Sequence, residues 1–238
     1  MQICSRFLQL SLLLSLSVAS ALAASTTMCQ IQDATYSGHK VFLLCERQLL
    51  YSSADRGKTW QSVNLPSELK YRSMLFLDEK RAFITGDGGT LLASEDGGNT
   101  WSKLDVRSTE NLLSIYFIGE KGWLVGEGGT ILHSADGGRT WTPQKAGGVY
   151  GLTSVFFPDA EHGWIVGWVG VVLRTADGGK TWEKVEVSDA SWSLNFVYFR
   201  DPQNGWIMGM FGQLLRTRDA GKTWQKQESG TISVINSM

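Results

Sequence analysis

The chain has 238 residues, and its 22 lysines and arginines nearly balance its 23 aspartates and glutamates, which gives a formal net charge of −1. This composition lacks the basic excess that nucleic-acid binding requires. Ten tryptophans and 27 glycines with only four prolines favour many short strands joined by tight turns. The sequence has neither a CxxC motif nor a His/Cys cluster, so it supports no metal site and no cofactor.

The first 23 residues have the features of a secretory signal peptide. Arg6 precedes a short apolar run at residues 7–18, and Ala21-Leu22-Ala23 has the small-x-small pattern of a signal-peptidase site. The run is shorter than the roughly 20 residues of a membrane-spanning helix. We therefore expect removal of residues 1–23 and export of a single domain, residues 24–238, to the periplasm or the medium. An uncleaved membrane anchor is the alternative.

Two cysteines of the mature chain, Cys29 and Cys45, are candidates for a disulfide. In an oxidising envelope compartment such a bond would pin the first strand to its neighbour. Two small buried hydrophobic side chains are the alternative interpretation.

Five segments share the pattern Ser/Thr-x-Asp-x-Gly-x-Thr-Trp, an Asp box. Its aspartates are 41, 40, 41 and 42 residues apart. The boxes contain Asp55, Asp96, Asp136, Asp177 and Asp219, followed by Trp60, Trp101, Trp141, Trp182 and Trp224. The aspartate can accept backbone N–H bonds in its own turn, the glycines tolerate positive φ, and the tryptophan can bury its ring. Because identical residues in every repeat cannot form one asymmetric active site, we predict a structural role for the boxes.

Each repeat also contains short apolar runs in a fixed order. In the third repeat, residues 114–117, 122–126 and 130–134 read as three strands, and Trp141 opens a fourth. Four strands per period of about 40 residues are typical of a propeller blade. We therefore predict an all-β fold, a β-propeller of about five four-stranded blades, with an Asp box between the third and fourth strands of each. The approximate repeats are residues 31–66, 67–107, 108–147, 148–188 and 189–228.

The last segment, residues 229–238, contains an apolar run that no Asp box follows. One solution is that it pairs with the first blade and closes the ring, because closure leaves no open sheet edge.

The loops that differ between repeats are the candidates for function. Loops from second to third strands carry Glu46, Asp87 and Glu127 in the first three blades, but Trp168 and Phe211 in the last two. Loops between blades, which emerge on the same face of a propeller, contribute Tyr71, Tyr150 and Trp192. The acidic residues are also typical of ordinary hairpin turns.

We predict a partner-binding surface composed of Tyr150, Trp168, Trp192 and Phe211. An aromatic cluster on an otherwise polar face has the composition of a protein-binding hot spot. Two alternatives remain open: the rings fold inward and cap the central channel, or they stack on sugar rings.

The repeat units 122–141 and 163–182 look very like those of the photosystem II stability/assembly factor family, and the resemblance covers essentially all of the mature chain. It implies a non-enzymatic assembly factor whose partner is a protein, such as an envelope or thylakoid membrane protein. In a phototroph it implies a location in the thylakoid lumen. The family typically has seven repeats where this chain has five, and its partner-binding arginine cluster does not map onto this sequence.

Asp boxes also occur in sialidases and other glycoside hydrolases. The Arg-(Ile/Leu)-Pro signature of sialidases is missing, and no feature of the sequence marks a pair of catalytic carboxylates. We therefore expect a binding protein without enzymatic activity, and a carbohydrate-binding or glycoside-hydrolase-like protein is the alternative.

Overall fold

The computed structural model describes residues 30–45, 49–66, 69–145, 147–148, 150–188, 190, 192–231 and 233. The predicted signal peptide, Cys29 and Glu46 lie outside the described residues, as does most of the predicted ring-closing strand at residues 229–238. Among the described residues, no helix has the length and apolar character needed to cross a membrane.

The described strands form five four-stranded antiparallel sheets, and each sheet follows the order of the chain. Blade one contains β1 (Ile31–Ser37), β2 (Lys40–Cys45), β3 (Leu49–Ser53) and β4 (Gln61–Val63); blade two contains β5 (Tyr71–Phe76), β6 (Ala82–Gly86), β7 (Leu91–Ser94) and β8 (Ser102–Leu104). Blade three contains β9 (Leu112–Ile118), β10 (Lys121–Gly126), β11 (Ile131–Ser134) and β12 (Thr142–Gln144). Blade four contains β13 (Leu152–Phe156), β14 (Gly163–Gly167), β15 (Val172–Thr175) and β16 (Glu183–Lys184); blade five contains β17 (Leu194–Phe199), β18 (Gly205–Gly209), β19 (Leu214–Thr217) and β20 (Gln225–Lys226). The β-propeller fold class predicted from the repeats is confirmed.

The chain divides into two compact units. Blades one and two belong to the first unit, which ends at Asp105, and blades three to five belong to the second unit, which begins at Val106.

The second strand of a blade is its most buried element. All five residues of β6 and all five residues of β14 are buried, whereas the fourth strands β8 and β12 are mostly exposed. A continuous apolar run suits a strand that is covered on both faces by neighbouring sheets. The composition of the second strands therefore determines which part of each repeat lies inside.

In the first unit, one cluster joins blades one and two. Phe42 of β2 packs against Tyr71, Met74 and Ile84 of blade two. The sequence-based placement of Tyr71 in a loop is wrong, because this residue opens β5 and its side chain is only 2% exposed. Its ring fills the core at the place where an interblade loop was expected.

A buried carboxylate also links these two blades. Asp33 of β1 accepts hydrogen bonds from the Met74 backbone N–H, at 2.8 Å, and from the Ser73 hydroxyl, at 3.2 Å. Burial raises the pKa of Asp33 above its ordinary value, although these hydrogen bonds act in the opposite direction.

Cys45 lies at the end of β2, is buried and is disulfide-bonded. Its predicted partner, Cys29, lies outside the described residues.

In the second unit, aromatic rings connect successive blades. Trp123 of β10 stacks on Phe157 of blade four with ring centroids 3.6 Å apart, and Trp164 of β14 stacks on Phe199 of blade five at 5.4 Å. These tryptophans are almost completely buried. The tryptophans of the Gly-Trp pairs in β10 and β14 therefore pack one blade on the next, whereas Trp206 of β18 stacks on Tyr198 of its own blade.

The Asp boxes connect the third and fourth strands, and the third box illustrates their geometry. One carboxylate oxygen of Asp136 accepts the Thr140 backbone N–H, at 2.9 Å, and the Ser134 hydroxyl, at 2.8 Å. Its other oxygen accepts the Thr140 hydroxyl at 2.6 Å. Trp141 donates its ring N–H to the Gly138 carbonyl at 2.9 Å. Both carboxylate oxygens are thus engaged inside the turn, as the structural interpretation predicts.

The two threonine hydrogen bonds to the aspartate recur in all five boxes, and the hydroxyl bond from the first residue of the box comes from serine in blades one to three and from Thr175 and Thr217 in blades four and five. The threonine bonds, from the hydroxyl and the backbone N–H, lower the pKa of each aspartate to about 2. Trp101, Trp141 and Trp182 are buried, whereas Trp60 and Trp224 are half-buried.

Candidate functional site

Four turns between second and third strands share one backbone geometry. They are Asp87-Gly88-Gly89, Glu127-Gly128-Gly129, Trp168-Val169-Gly170 and Met210-Phe211-Gly212. In each turn, the residue that follows donates its backbone N–H to the carbonyl oxygen of the first residue, at 3.0–3.3 Å. The turns of blades two to five therefore differ in their side chains and not in their backbone.

The middle residue of each turn has a left-handed backbone. Its φ is 59° at Gly88 and 63° at Gly128, and it is 56° at Val169 and 55° at Phe211. This conformation costs an L-residue roughly 1–2 kcal/mol and is an outlier for a β-branched side chain. Blades four and five thus place Val169 and Phe211 where the fold favours glycine.

Packing does not compensate for the strain at Val169. This side chain is 82% exposed and gains little hydrophobic stabilisation from its own chain, whereas Phe211 is 56% exposed and packs on one neighbouring ring, Trp192. Non-glycine residues held in sparsely populated backbone regions are concentrated at functional sites. Strain and exposure together mark these two positions as candidates for binding.

The first residue of each turn also changes character along the chain. In blade two, Asp87 pairs with the Arg72 side chain at 2.6 Å, and in blade three, Glu127 accepts a hydrogen bond from the Asn111 side chain at 3.1 Å. These carboxylates have partners within their own blades, as in ordinary hairpin turns. Their equivalents in blades four and five are Trp168 and Met210, so Phe211 corresponds to Gly128 and not to Trp168.

The indole ring of Trp168 packs on the backbone of its own blade at Gly151. It is 43% exposed, and its backbone N–H donates to the Gly151 carbonyl at 2.8 Å. A Cβ atom added at Gly151 would lie 2.3 Å from the indole ring. The ring therefore lies directly over the Gly151 backbone, with its remaining surface accessible.

Trp192 and Phe211 form a ring pair in blade five. Their centroids are 4.9 Å apart in an edge-to-face arrangement, and Trp192 is 54% exposed. Trp192 lies two residues before β17, and the turn that contains Trp168 packs against β17. The structure thus places Trp168, Trp192 and Phe211 on neighbouring turns. We call these three residues and Val169 the aromatic edge.

Tyr150 has a different environment from the other predicted residues. It is half-buried, packs against the core cluster that includes Trp123 and Phe157, and accepts the Gly129 backbone N–H on its carbonyl oxygen at 2.6 Å. Tyr150 therefore belongs to the margin of the aromatic edge, beside the turn of blade three.

Sequence reasoning missed Val169. An alignment of the four turns places Val169 in the column of Gly88 and Gly128, and this substitution of a β-branched residue for glycine is the signal that would have identified it.

The two hairpins that carry Trp168, Val169 and Phe211 lack charge, whereas the loop before β17 that carries Trp192 contains Glu186 and Asp189. Residues 163–173 and 205–215, which form the hairpins of blades four and five, contain no ionisable side chain, whereas the corresponding hairpins of blades two and three carry Asp87 and Glu127. Among the described residues, no group of His, Cys, Asp and Glu side chains is arranged to hold a metal ion. The chemistry available here is that of an apolar contact surface.

Five four-stranded sheets, each with an Asp box before its fourth strand, define a β-propeller built from bacterial neuraminidase repeats. The sequence model of the family described as photosynthesis system II assembly factor YCF48 matches residues 51–146 and 150–231. The chain belongs to this family, which confirms the resemblance seen in the repeats.

Solved structures of other proteins have a fold similar to that of this chain. The structure of YCF48 bound to D1 peptide is similar with a TM-score of 0.67 and 20% identity, over 84% of this chain and 67% of that chain. YCF48 from Cyanidioschyzon merolae has a TM-score of 0.65 and 19% identity, over 82% and 70% of the two chains. A GH74 enzyme of Niastella koreensis has a TM-score of 0.66 and 14% identity, over 84% and 38%. No curated protein sequence matches the chain.

Proposed function

We propose that this chain is an exported, non-enzymatic propeller that binds a segment of a photosystem II subunit through the aromatic edge. Trp168, Trp192 and Phe211 are the main contacts, and Tyr150 lies at their margin. Membership of the YCF48 family and the D1 peptide bound by the related YCF48 support a protein partner of this kind.

One observation carries the assignment of the surface. The chain keeps Val169 and Phe211 exposed in a strained conformation that glycine would relieve. Two exposed tryptophans lie on the neighbouring turns, and tryptophan is enriched among the residues that dominate binding energy at protein interfaces. Burial of these rings against a partner would supply the apolar contact that the free chain lacks.

Seven carboxylates of the described turns have partners close by in their own repeats, which supports a role without catalysis. All five Asp-box aspartates accept hydrogen bonds within their own turns, and Asp87 and Glu127 are paired within their blades. A glycosidase needs two carboxyl groups that face a common substrate. The likeness to the GH74 enzyme is one of fold.

Export is part of the proposal. The disulfide at Cys45 favours an oxidising compartment, which suits the periplasm or the thylakoid lumen. A fusion of residues 1–23 to a reporter enzyme that is active only after export tests this point. A reporter that stays inactive in the cytoplasm would contradict it.

The binding proposal can be tested by fluorescence anisotropy with labelled peptides that cover the non-membrane segments of D1. We expect the mature chain to bind one of them, and we expect the Trp168→Ala/Phe211→Ala double variant to bind it at least tenfold more weakly. Leu69→Ala is the matched control, because Leu69 is an exposed apolar residue of blade two. Equal affinity of the double variant would remove the aromatic edge from the proposal.

If the unaltered chain binds none of the peptides, the proposed partner is wrong. A glycan array then tests the carbohydrate-binding alternative.

A further inference from the structure

A cleft of about 530 Å³ lies in the first unit, where the fourth strand of blade one meets the Asp box of blade two. Its volume is within the roughly 300–1,000 Å³ that is usual for small-molecule sites. The cleft is lined by residues 52, 61–66 and 99–101, none of which belongs to the aromatic edge. It is therefore a surface that the proposed peptide binding does not use.

One difference between the repeats explains why the cleft is open. In blade three, the side-chain oxygen of Gln144 accepts the ring N–H of Trp182, the box tryptophan of the next blade, at 3.2 Å. Val63 has the position of Gln144 in blade one, and the box tryptophan of blade two, Trp101, donates its ring N–H to Gly98 of its own box instead. Because valine is shorter than glutamine and has no polar group, the contact that spans blades three and four is missing between blades one and two.

The lining combines an apolar floor with a polar rim. Val63 and Leu65 pack against the core cluster that contains the Trp101 ring, which is only 8% exposed. Gln61 and Asn64 are exposed at the rim, and neither side chain has a hydrogen-bond partner among the described residues. An amide group has both donors and an acceptor, so this rim can pair with groups of either kind.

The opposite wall is held in place by hydrogen bonds. Asn99 accepts a hydrogen bond from the Lys40 ammonium on its side-chain oxygen, at 2.9 Å, and donates its amide N–H to the Asp96 carbonyl. Thr100 donates its hydroxyl to the Asp96 carboxylate at 2.6 Å. The charged groups of Lys40 and Asp96 are therefore engaged with this wall, whose own side chains are an amide and a hydroxyl.

The chemistry of the lining favours an uncharged ligand that is rich in hydroxyl groups. None of the lining residues is ionisable, whereas phosphate and carboxylate groups are usually held by arginine or lysine, and ammonium groups by carboxylates. A purely apolar ligand would leave the amide and hydroxyl groups without partners, which is costly where water is excluded. A saccharide has hydroxyl groups that donate and accept, and its C–H groups can pack on an apolar floor.

We infer that the cleft is a binding site for a short neutral oligosaccharide, which packs its C–H groups on Val63 and Leu65 and pairs its hydroxyl groups with the amides of Gln61 and Asn64. The site is independent of the proposed peptide binding, because it lies in blades one and two.

Titrations followed by saturation-transfer difference NMR test the site on the mature chain, with cellotriose, maltotriose and triacetylchitotriose as neutral probes. We expect at least one of them to bind. Val63→Gln introduces the side chain that spans blades three and four, and it should weaken binding at least tenfold. The Gln61→Ala/Asn64→Ala double variant removes the two rim amides and should weaken binding at least fivefold. Gln225→Ala is the matched control, because Gln225 has the position of Gln61 in blade five, and it should keep the affinity within twofold.

Charged sugars complete the test. Trigalacturonate is the anionic probe and triglucosamine the cationic one, the second because Glu68, two residues after the lining residue Pro66, lies outside the described residues. Three results would overturn the site: no binding of any neutral probe by the unaltered chain, unchanged affinity in both variants, or tighter binding of a charged probe than of the neutral ones.

Binding of the D1 peptides is measured on the same variants and should be unchanged. Loss of sugar binding, with peptide affinity kept within twofold, would support the cleft as a separate site. A parallel loss of peptide affinity would contradict it. Sugar binding by the unaltered chain, with no peptide bound, would support the cleft even where the peptide proposal fails.

Discussion

Val169 and Phe211 occupy the same position in consecutive blades, and both have the left-handed backbone that Gly88 and Gly128 adopt in blades two and three. If the strain serves binding and not folding, glycine at residue 169 should stabilise the chain. We expect Val169→Gly to raise the free energy of unfolding by about 0.5–1 kcal/mol, because relief of strain outweighs the greater freedom of glycine in the unfolded chain. Urea unfolding followed by circular dichroism measures the change.

The reciprocal replacement is the control for Val169→Gly. Gly128→Val should lower stability, since the left-handed backbone disfavours valine and an added Cβ would lie 2.9 Å from the Glu110 side chain. A less stable Val169→Gly variant would mean that Val169 contributes to packing, and it would weaken the case for a binding role.

The Asp boxes contain another position at which some blades have glycine and others have a non-glycine residue with a left-handed backbone. The residue after the aspartate is Gly97, Gly137 or Gly178 in blades two to four, but Arg56 in blade one and Ala220 in blade five, all with positive φ. We expect Ala220→Gly to stabilise the chain by about 0.5–1 kcal/mol for the same reason.

Gly178→Ala is the matched control for Ala220→Gly and should destabilise, because it introduces the strain that Ala220→Gly removes. Its Cβ would also lie 3.0 Å from the Ala160 carbonyl oxygen. Chemical unfolding of both variants provides the comparison, and a loss of stability in Ala220→Gly would contradict the strain argument.

The aspartates of the boxes predict a loss of stability in acid. Hydrogen bonds lower the pKa of all five to about 2, from an ordinary value of 3.8. A lowered pKa in the folded state means that the ionised form is the stabilising one, so the contribution is complete above about pH 4 and disappears as the pH falls towards 2. Asp33 opposes this trend, because burial raises its pKa. We expect the melting temperature to fall across this window.

The variant Asp136→Asn tests whether the boxes cause the acid sensitivity. It removes the carboxylate that accepts the Thr140 hydroxyl and backbone N–H. We expect a lower melting temperature at pH 7 and a smaller further decrease between pH 4 and 2. An acid transition as steep as that of the unaltered chain would assign the effect to other carboxylates.

The repeated features were predictable and the single features were not. Blades and boxes could be located because the aspartate and tryptophan of the box, Asp136 and Trp141 in the third repeat, recur five times. Their spacing defines the period, and a weak match in one repeat is compensated by clear matches in the others. The strain at Val169 was not seen, since a left-handed φ belongs to the backbone and appears in the sequence only when equivalent turns are compared. Tyr71 was placed in a loop because the first strand of blade two begins earlier than its apolar run suggests. The edge-to-face contact of Trp192 with Phe211 occurs in one blade only, so no repeat predicts it.

The ring stack between blades three and four leaves no space for an added methyl group at Gly163. A Cβ at Gly163 would lie 2.3 Å from the Phe157 ring, and the Trp123 ring stacks on Phe157 at 3.6 Å, so the phenyl ring has little freedom to move. We expect Gly163→Ala to lower the free energy of unfolding by about 1–3 kcal/mol, the usual range for overpacking a core, and to reduce the near-ultraviolet circular dichroism of the stacked rings.

Gly205→Ala in blade five is the matched control for Gly163→Ala. Gly205 faces Phe199, whose ring centroid is 5.4 Å from that of Trp164. The looser stack should absorb part of the shift, so its loss of stability should be smaller. Equal losses at the two sites would mean that the glycine–phenylalanine contact alone sets the cost and that the stack between blades contributes nothing.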